Sequence, residues 1–202
     1  MCRKLSIFFA CAGLLTLLVC RSQGKPDTHK MRFSQLPATG IGVVYVQGDD
    51  GFYKAGRPLS FRDNGDGTVT DLNTGLMWIK SGLADTDTDP PTPYTADGPW
   101  RKYNWENAIL YCERLEFAGY SDWRLPNYKE LVSILDLSKV NPAVDPRYFP
   151  DTRTDFYWTS TTSTYDIGKA WYVYFNLGYV NHIFKNWECY VRPVRTVANV
   201  KS

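Results

Sequence analysis

The sequence predicts an α+β fold, in which two helices lie between an early β-hairpin unit and a later set of antiparallel strands. Paired turn signals, Asn64-Gly65 and Asp66-Gly67, separate short β-type runs in the first part of the chain. Apolar residues then recur at helical spacing across residues 105–135. From Phe156 onward the pattern changes from a helical to an alternating period, which indicates strands.

Residues 1–24 have the layout of a secretory signal, and we exclude them from the fold. A basic start precedes an apolar run from Leu5 to Val19, after which the sequence becomes polar. A transmembrane helix needs about 20 apolar residues, so this run is too short to span a bilayer comfortably. Residues 25–40 are polar with Pro and Gly, and we expect them to tether a domain of residues 41–198.

The processing of this signal has two outcomes that the sequence leaves open. Cys20 follows the run Leu17 to Val19 in an arrangement similar to a lipoprotein signal, with the cysteine as lipid acceptor. Such signals prefer Gly, Ala or Ser just before the cysteine, and Val19 does not fit that preference. Cleavage near Gly24 would instead release a soluble protein.

The charge balance makes nucleic acid an unfavourable partner. Arg3, Lys4 and Arg21 are the charged residues of the signal, so the formal charge falls from +2 for the chain to −1 for residues 25–202. Duplex binding requires clustered Lys and Arg that displace phosphate counterions. Seven Trp, fourteen Tyr and ten Phe predict instead an aromatic core, aromatic contacts to a ligand, or both.

The first part of the domain is predicted to consist of short strands. Val43–Val46 is expected to be the opening strand, and residues 61–78 a hairpin unit with strands at Thr68–Asp71 and Leu76–Trp78. Residues 81–100 contain D-T-D-T-D-P-P-T-P and are predicted to form a long exposed loop.

Two helices are predicted next. Asn104 can cap the first helix, and Gly119 is placed to end it. Its apolar positions are Trp105, Ala108, Ile109, Cys112 and Leu115. Asn127 lies three residues before Glu130 in the capping-box arrangement and begins the second helix. The apolar stripe of that helix is Leu131, Ile134 and Leu135.

Four strands are predicted in the last part of the domain. Tyr157–Thr161 is the first strand, and Trp171–Phe175 and Tyr179–Phe184 form a hairpin joined at Asn176–Gly178. Tyr190–Val197 is the last strand.

Four ordered motifs in this chain are similar to those of the Lcl C-terminal domain family, which is named after a collagen-like bacterial adhesin. They are D-N-G-D-G-T-V-T-D-x-x-T-G-L-M-W (63–78), A-G-Y-S-D-W-R-L-P-N-x-K-E-L (118–131), Y-W-T-S-T (157–161) with A-W-Y-V-Y-F (170–175), and Y-V-R-P-V-R (190–195). The resemblance covers roughly residues 33–197 and implies a C-type-lectin-like fold related to formylglycine-generating enzymes, with two helices packed on antiparallel β-hairpins. It also implies export to the periplasm, outer membrane or cell surface and binding of an extracellular glycan or protein.

The cysteines depart from the family pattern. Many members carry a cysteine between the two arginines of the last motif, where this chain has Pro193, while Cys189 lies four residues earlier. An even offset keeps Cys189 on the same strand face, about 13 Å away. A disulfide between Cys112 and Cys189 remains a candidate in an oxidising compartment, and closing so long a loop would contribute about 4 kcal/mol.

The charged residues of the motifs are interpreted as structural. Trp123 is expected to fill the core, while Asp122 and Arg124 anchor the connection between the helices. Arg192 and Arg195 are expected to pair with buried acids or carbonyls.

Catalytic machinery is scarce, and we predict that the chain is not an enzyme. His29 and His182 are its histidines, no G-x-S-x-G elbow or zinc cluster is present, and formylglycine-generating relatives use a cysteine pair where this chain has Cys189 alone. An enzyme of that type, or a hydrolase, is the alternative, together with an envelope scaffold lipoprotein. The sequence has no coiled-coil or collagen-like segment from which to predict an oligomeric state.

Calcium is the one cofactor for which the sequence offers ligands. The candidate ligands are Asp63, Asn64, Asp66 and Asp71. Their spacing does not fit an EF-hand, and type I′ turns explain the same residues without a metal. The run Asp85, Asp87 and Asp89 is a further conceivable cation loop, for which a solvated loop is the alternative.

The late hairpin offers the best candidate ligand contacts. If Trp171, Val173 and Phe175 face the core, then Tyr172 and Tyr174 face outward. The predicted contact residues are Tyr172, Tyr174, Tyr179, His182, Lys185 and Trp187. Flat rings beside hydrogen-bonding groups suit sugar faces or peptide surfaces, and a Tyr-rich sheet surface without a ligand is the alternative.

Overall fold

Short strands dominate the computed structural model, which describes residues 36–81 and 101–197 of one compact unit, Ser34–Ser202. Within the described residues the elements are α1 (Asp50–Tyr53), β1 (Phe61–Asp63), β2 (Thr68–Asp71), β3 (Leu76–Ile79), β4 (Lys102–Tyr103), α2 (Trp105–Arg114), α3 (Tyr128–Val132), β5 (Phe156–Thr162), β6 (Lys169–Tyr174), β7 (Tyr179–Phe184), β8 (Cys189–Tyr190) and β9 (Val194–Thr196). The predicted mixed α+β class is confirmed. The signal segment, Cys20 and most of the predicted 81–100 loop lie outside the described residues.

The first sheet has the strand order β1-β2-β3-β9, with antiparallel neighbours throughout. Gly65 and Gly67 have φ of +80° and +87°, a conformation that glycine adopts without strain, and they turn the chain from β1 into β2. Val69 of β2 lies opposite Trp78 of β3, and both side chains are fully buried. The predicted hairpin unit over residues 61–78 is confirmed.

The second sheet has the order β4-β8-β5-β6-β7 and is antiparallel except for the parallel pair β5 and β8. The prediction of one last strand over Tyr190–Val197 is wrong, because β8 joins the second sheet while β9 joins the first. Arg192 and Pro193 lie between them. Proline has no N–H to donate to a strand ladder, so pairing stops there and the chain crosses from one sheet to the other.

Both predicted helix starts are confirmed, while both helices end earlier than expected. Asn104 accepts a hydrogen bond of 2.9 Å from the Asn107 amide and begins α2. Asn127 and Glu130 form the full capping box of α3, with bonds of 3.0 and 2.8 Å. Because α3 ends at Val132, Ile134 and Leu135 reach the core from the turn that follows the helix.

Two clusters of buried residues cover opposite faces of the second sheet. Tyr157 and Val173 belong to a cluster that also contains Trp78 and residues from and just after α3. Trp158 and Tyr172, their neighbours in sequence, belong to a cluster that contains the buried side of α2. Strand residues alternate between faces, so β5 and β6 contribute to both clusters.

The expected structural roles of Trp123 and Arg192 are confirmed. Trp123 is buried against Met77 and Ile79. Arg192 is fully buried, where Nη1 donates to the carbonyl of Ile79 at 2.8 Å and Nη2 donates to Thr152 at 2.7 Å.

The other two arginines of the motifs, Arg195 and Arg124, each form an ion pair that holds the connection between the helices. Arg195 donates to both oxygens of Asp122, at 2.6 and 3.1 Å. The Asp122 side chain is exposed, so the expectation of a buried partner for Arg195 is wrong. Arg124 and Glu130 form a bidentate pair with both bonds at 2.7 Å.

The start of the described region differs most from expectation. Val43–Val46 is not a strand but an exposed loop, because no neighbouring strand offers it a ladder among the described residues. Residues 36–40, the end of the predicted tether, lie against the domain, where the Ala38 amide donates to the Arg57 carbonyl at 2.7 Å.

Candidate functional site

Four aromatic rings form a continuous series on one face of the second sheet, which we call the aromatic row: Tyr128, Trp171, His182 and Tyr165. Ring centroids are 5.4 Å apart for Tyr128 and Trp171 and 5.3 Å apart for Trp171 and His182. The Trp171 and His182 rings are stacked with an angle of 23° between their planes. Tyr165 follows at 6.2 Å from His182 and is 90% exposed.

Three elements bring these rings together. Trp171 of β6 lies opposite His182 of β7 in the ladder, so both side chains stand on the same face. Tyr128 is the first residue of α3, and its amide donates to Thr161 of β5 at 3.0 Å. Tyr165 lies in the connection between β5 and β6.

The His182 ring is held from below by Ser163, whose Oγ lies 2.8 Å from Nδ1. Ser163 is buried, and its own amide donates to the Lys169 carbonyl at 2.9 Å. Among the described residues Nε2 of His182 has no protein partner, so this nitrogen is left for a ligand or water. The ring is therefore fixed in position with one polar atom available.

The flank of the aromatic row carries a balanced pair of charges. Lys169 lies 3.4 Å from Asp166, and its Nζ is 4.5 Å from the centroid of the exposed Phe184 ring. The result is a half-buried aromatic surface bordered by groups that can donate and accept hydrogen bonds. Such a combination buries apolar area of a ligand while its polar groups remain bonded.

The six predicted contact residues do not form one site. His182 is in the aromatic row. The outward orientation of Tyr172 is wrong: its ring is buried, 4.4 Å from Phe156, and burial raises its pKa to about 12. The prediction assumed that one face of the hairpin is open along its whole length, whereas the cluster beside α2 covers Tyr172.

The other predicted contacts are dispersed. Tyr174 is half-buried and packs edge-on against Tyr179 at 5.0 Å, on the face opposite His182. Lys185 lies 3.9 Å from the centre of the Trp105 ring and donates to Thr162 at 3.0 Å. Trp187 is exposed in the turn after β7.

Sequence reasoning missed three members of this site. Trp171 was assigned to the core, and neither Tyr128 nor Tyr165 was singled out. The length of the hairpin loop sets the register of β6 and β7, and therefore the pairing of Trp171 with His182. The loop sequence Asn-Leu-Gly does not determine that length. The structure has Tyr174 opposite Tyr179, which leaves four residues in the loop.

The two cysteines are free and buried, so the candidate disulfide between Cys112 and Cys189 is not formed in this structure. Both belong to the cluster beside α2. Burial raises the pKa of Cys189 to about 12 and raises that of Cys112 as well. Neither thiol is therefore ionised near neutral pH.

The candidate calcium ligands take part in local turns. Oxygens of Asp63 and Asp66 accept from the amides of Gly65 and Thr68, at 3.0 and 2.9 Å. Asp71, at the far end of β2, accepts from Asn73 and Thr74.

Asn64 bonds the hydroxyls of Thr68 and Thr70, at 2.8 and 2.9 Å. Within residues 36–81 and 101–197 no group of three or more His, Cys, Asp or Glu is arranged to hold a metal ion. Calcium binding at this turn stays a prediction.

These features define a small α+β domain with an open aromatic face. The chain belongs to the Lcl C-terminal domain family, which it matches over residues 67–195. A search of curated proteins finds no match.

Among solved structures, the chain is similar to the adhesin InvE of Yersinia pseudotuberculosis, with 21% identity and a TM-score of 0.46. The similarity covers 68% of this chain and 36% of the adhesin, so the chain spans only about a third of that protein's length. In the part of the chain that the structure describes, no helix has the length and apolar character needed to cross a bilayer.

Proposed function

We propose that this chain is an exported, noncatalytic binding module that recognises an extracellular ligand through the aromatic row. The observation that carries the proposal is the stacked pair of Trp171 and His182, held by buried Ser163 and continued by Tyr128 and Tyr165. We place the module in the periplasm, at the outer membrane or at the cell surface. Family membership supports this assignment.

The ligand class that suits this surface best is a glycan. A pyranose ring presents an apolar face that packs on aromatic rings, together with hydroxyls that need hydrogen-bond partners. Trp171 and Tyr165 supply the aromatic surface, and Nε2 of His182 supplies a polar partner at its centre. A peptide with exposed aromatic or apolar groups would use the same surface and is the alternative ligand.

The finer fold that we propose is C-type-lectin-like. Two features support it: the helices α2 and α3 both pack beside the second sheet, and the late hairpin of β6 and β7 carries the open face. In this arrangement, hairpins and their connecting loops display the ligand contacts while the helices support them.

Two local environments support a noncatalytic role. Ser163 is buried beneath His182 and contacts Nδ1, and no carboxylate bonds the other ring nitrogen among the described residues. Cys189 is a protonated, buried thiol on the opposite face of the sheet from His182. A nucleophile needs an adjacent base and access to substrate, and neither residue combines the two.

A glycan array tests the proposal. We expect the mature protein to be retained by a subset of glycans, and Tyr165→Ser to reduce that retention about tenfold, since the substitution removes an exposed ring from the surface. Tyr45→Ser is the matched control, because Tyr45 is 96% exposed and lies in the segment before α1, which contributes no ring to the aromatic row. Each variant is measured with and without calcium.

The array also separates the alternatives. If no glycan retains the protein, with or without calcium, the result would favour a scaffold component of the envelope. Equal retention of wild type and Tyr165→Ser would place the ligand away from the aromatic row. Turnover of a cysteine-containing sulfatase peptide by the purified protein would support an oxidative enzyme instead.

A further inference from the structure

A second exposed surface lies far from the aromatic row in sequence, in the segment that precedes the family match at residue 67. Residues 43–46, Val-Val-Tyr-Val, form an exposed loop that we call the apolar loop. All four side chains are exposed, with Val43 79% exposed and Tyr45 96% exposed. A contiguous exposed apolar segment of this kind marks an interaction surface.

The conformation of the apolar loop is specified by its neighbours. Asp49 accepts from the amides of Tyr45 and Val46 at 2.7 and 3.1 Å, and from Phe52 at 2.8 Å. These backbone hydrogen bonds lower the pKa of Asp49, so its carboxylate stays charged and stabilises this conformation of the loop. Gly51 packs so closely that a Cβ there would lie 1.9 Å from the Val43 carbonyl oxygen.

Beside the apolar loop lies a pocket of about 390 Å³ with an excess of positive charge. Its charged lining residues are Lys54, Lys139, Arg147, Asp136 and Asp145. Asp136 is paired with Lys139 and Asp145 with Arg147, the latter at 2.6 Å. Lys54 has no acidic partner among the described residues, so the pocket carries a net charge of about +1 that favours an anion.

The position of the apolar loop in the chain indicates that the anionic surface it contacts is a membrane. The described region starts at Leu36, seven residues before Val43, and Cys20, the candidate lipid acceptor, precedes Val43 by 23 residues. A segment of that length spans at most about 80 Å when fully extended, so a domain anchored at its start stays next to the bilayer. Even a weak contact then acts at high effective concentration.

We propose that the apolar loop is a membrane-contact site, which places Tyr45 and its neighbouring valines in the interfacial layer of an anionic bilayer while Lys54 contacts a lipid phosphate. Tyrosine favours this layer because its ring is apolar and its hydroxyl is polar. Asp49 and Gly51 hold the loop in the conformation that presents these side chains. The site is independent of the aromatic row.

A site-specific fluorophore tests the proposal on the mature exported chain. Tyr45→Cys is labelled with a polarity-sensitive dye, and Tyr165→Cys, which replaces an equally exposed tyrosine, is the matched control. Cys112 and Cys189 are buried, so labelling is confined to the introduced thiol. Vesicles are made of phosphatidylethanolamine with increasing phosphatidylglycerol, and phosphatidylcholine vesicles serve as the neutral comparison.

We expect the dye at position 45 to shift to the blue and brighten with phosphatidylglycerol vesicles, while the dye at position 165 stays unchanged. Because each basic residue near an anionic surface contributes about 1 kcal/mol, Lys54→Ala should raise the lipid concentration at half-maximal response about fivefold. An anchor at Cys20 would be present in both labelled proteins and so does not affect the comparison.

Two results would overturn the membrane-contact site. The first is a dye at position 45 that stays as water-exposed as the dye at position 165 at every lipid composition. The second is a shift that occurs without vesicles and grows with protein concentration, which would show self-association through the apolar loop. Neither outcome bears on glycan retention by the aromatic row.

Discussion

Two neighbouring aromatic residues of β6, Tyr172 and Trp171, differ in burial although a core cluster lies on each face of their sheet. Tyr172 is buried with Trp158 in the cluster beside α2. Trp171, its neighbour, remains half-buried in the aromatic row with His182. Both faces are therefore covered in part. The cluster beside α2 buries Tyr172 on one face, and the cluster that includes residues from α3 buries Val173 on the other face but leaves Trp171 and His182 half-buried.

This difference shows that the alternation of residues along a strand identifies the two faces of a sheet. It does not predict which positions on each face other elements will bury. Both carry large aromatic residues, so hydrophobicity alone does not distinguish them. What distinguishes Tyr172 from Trp171 is whether a core cluster reaches each position. Ala108 and Cys112 of α2 pack in the cluster that includes Tyr172, whereas Leu131 of α3 packs in the cluster that includes Val173 and does not include Trp171.

The largest effect that tests this comparison is expected at Tyr172. Replacing a buried aromatic side chain with alanine leaves a cavity, so Tyr172→Ala should lower the free energy of unfolding by about 3 to 4 kcal/mol. Tyr165→Ala, on the open face, should change it by less than about 0.5 kcal/mol. Urea unfolding of both variants measures the contrast, and similar losses would show that Tyr165 contributes as much to stability as the buried Tyr172.

A smaller effect is expected at the border of the open face, where Glu130 caps α3. Burial raises the pKa of Glu130, but the hydrogen bonds from Arg124 and the Asn127 amide outweigh it, so the net pKa is lowered. Its stabilisation is therefore complete above the ordinary value of 4.5 and is lost as pH falls through the lowered pKa.

Glu130→Gln should accordingly lower the free energy of unfolding by about 1 to 2 kcal/mol at neutral pH, since a charge-assisted pair is lost. That difference from wild type should shrink as the pH falls below 4.5 and through the lowered pKa of Glu130. Glu106→Gln, at an exposed position in the first turn of α2, is the control and should show no such convergence. A pH-independent loss at Glu130 would contradict the assigned pair.

The smallest effect on stability is expected at Ser163, beneath His182. Ser163→Ala removes one hydrogen bond and should cost about 1 kcal/mol, as measured by thermal unfolding. Ligand retention should fall more than stability does, because the His182 ring loses the contact that fixes it. Ser160→Ala, which replaces an exposed serine of β5, should leave both unchanged. Unaltered retention by Ser163→Ala would show that His182 needs no support.

Local sequence signals predicted the elements whose cause is local. The caps at Asn104 and Asn127, the glycine turns at residues 65 and 67, and the bounds of β7 follow from interactions within a few residues. The Val43–Val46 strand failed, because a β-type composition becomes a strand only where another strand pairs with it. The single last strand failed because Arg192 and Pro193 interrupt a pattern that otherwise continues.

The candidate site was less predictable than the fold. His182 was found because the chain has only two histidines, but its partners Trp171, Tyr128 and Tyr165 come from three different segments. Tyr172 was misplaced because its burial depends on α2, which is more than 55 residues away in sequence. Contacts between residues so far apart in sequence do not produce a recognisable pattern in the residues of the strand itself.

By itself, the sequence determined the mixed α+β class, the starts of both longer helices, the early hairpin and the structural roles of Trp123 and Arg192. These depend on backbone capping, turn conformation and the burial of large or charged side chains, which the residues impose wherever they are placed. Only the tertiary structure decided that Tyr172 is buried while Trp171 stays half-buried, that the last segment joins both sheets, and that residues 43–46 are exposed. Those outcomes depend on which element, distant in sequence, packs on or pairs with each segment. Interactions within a segment do not determine that packing.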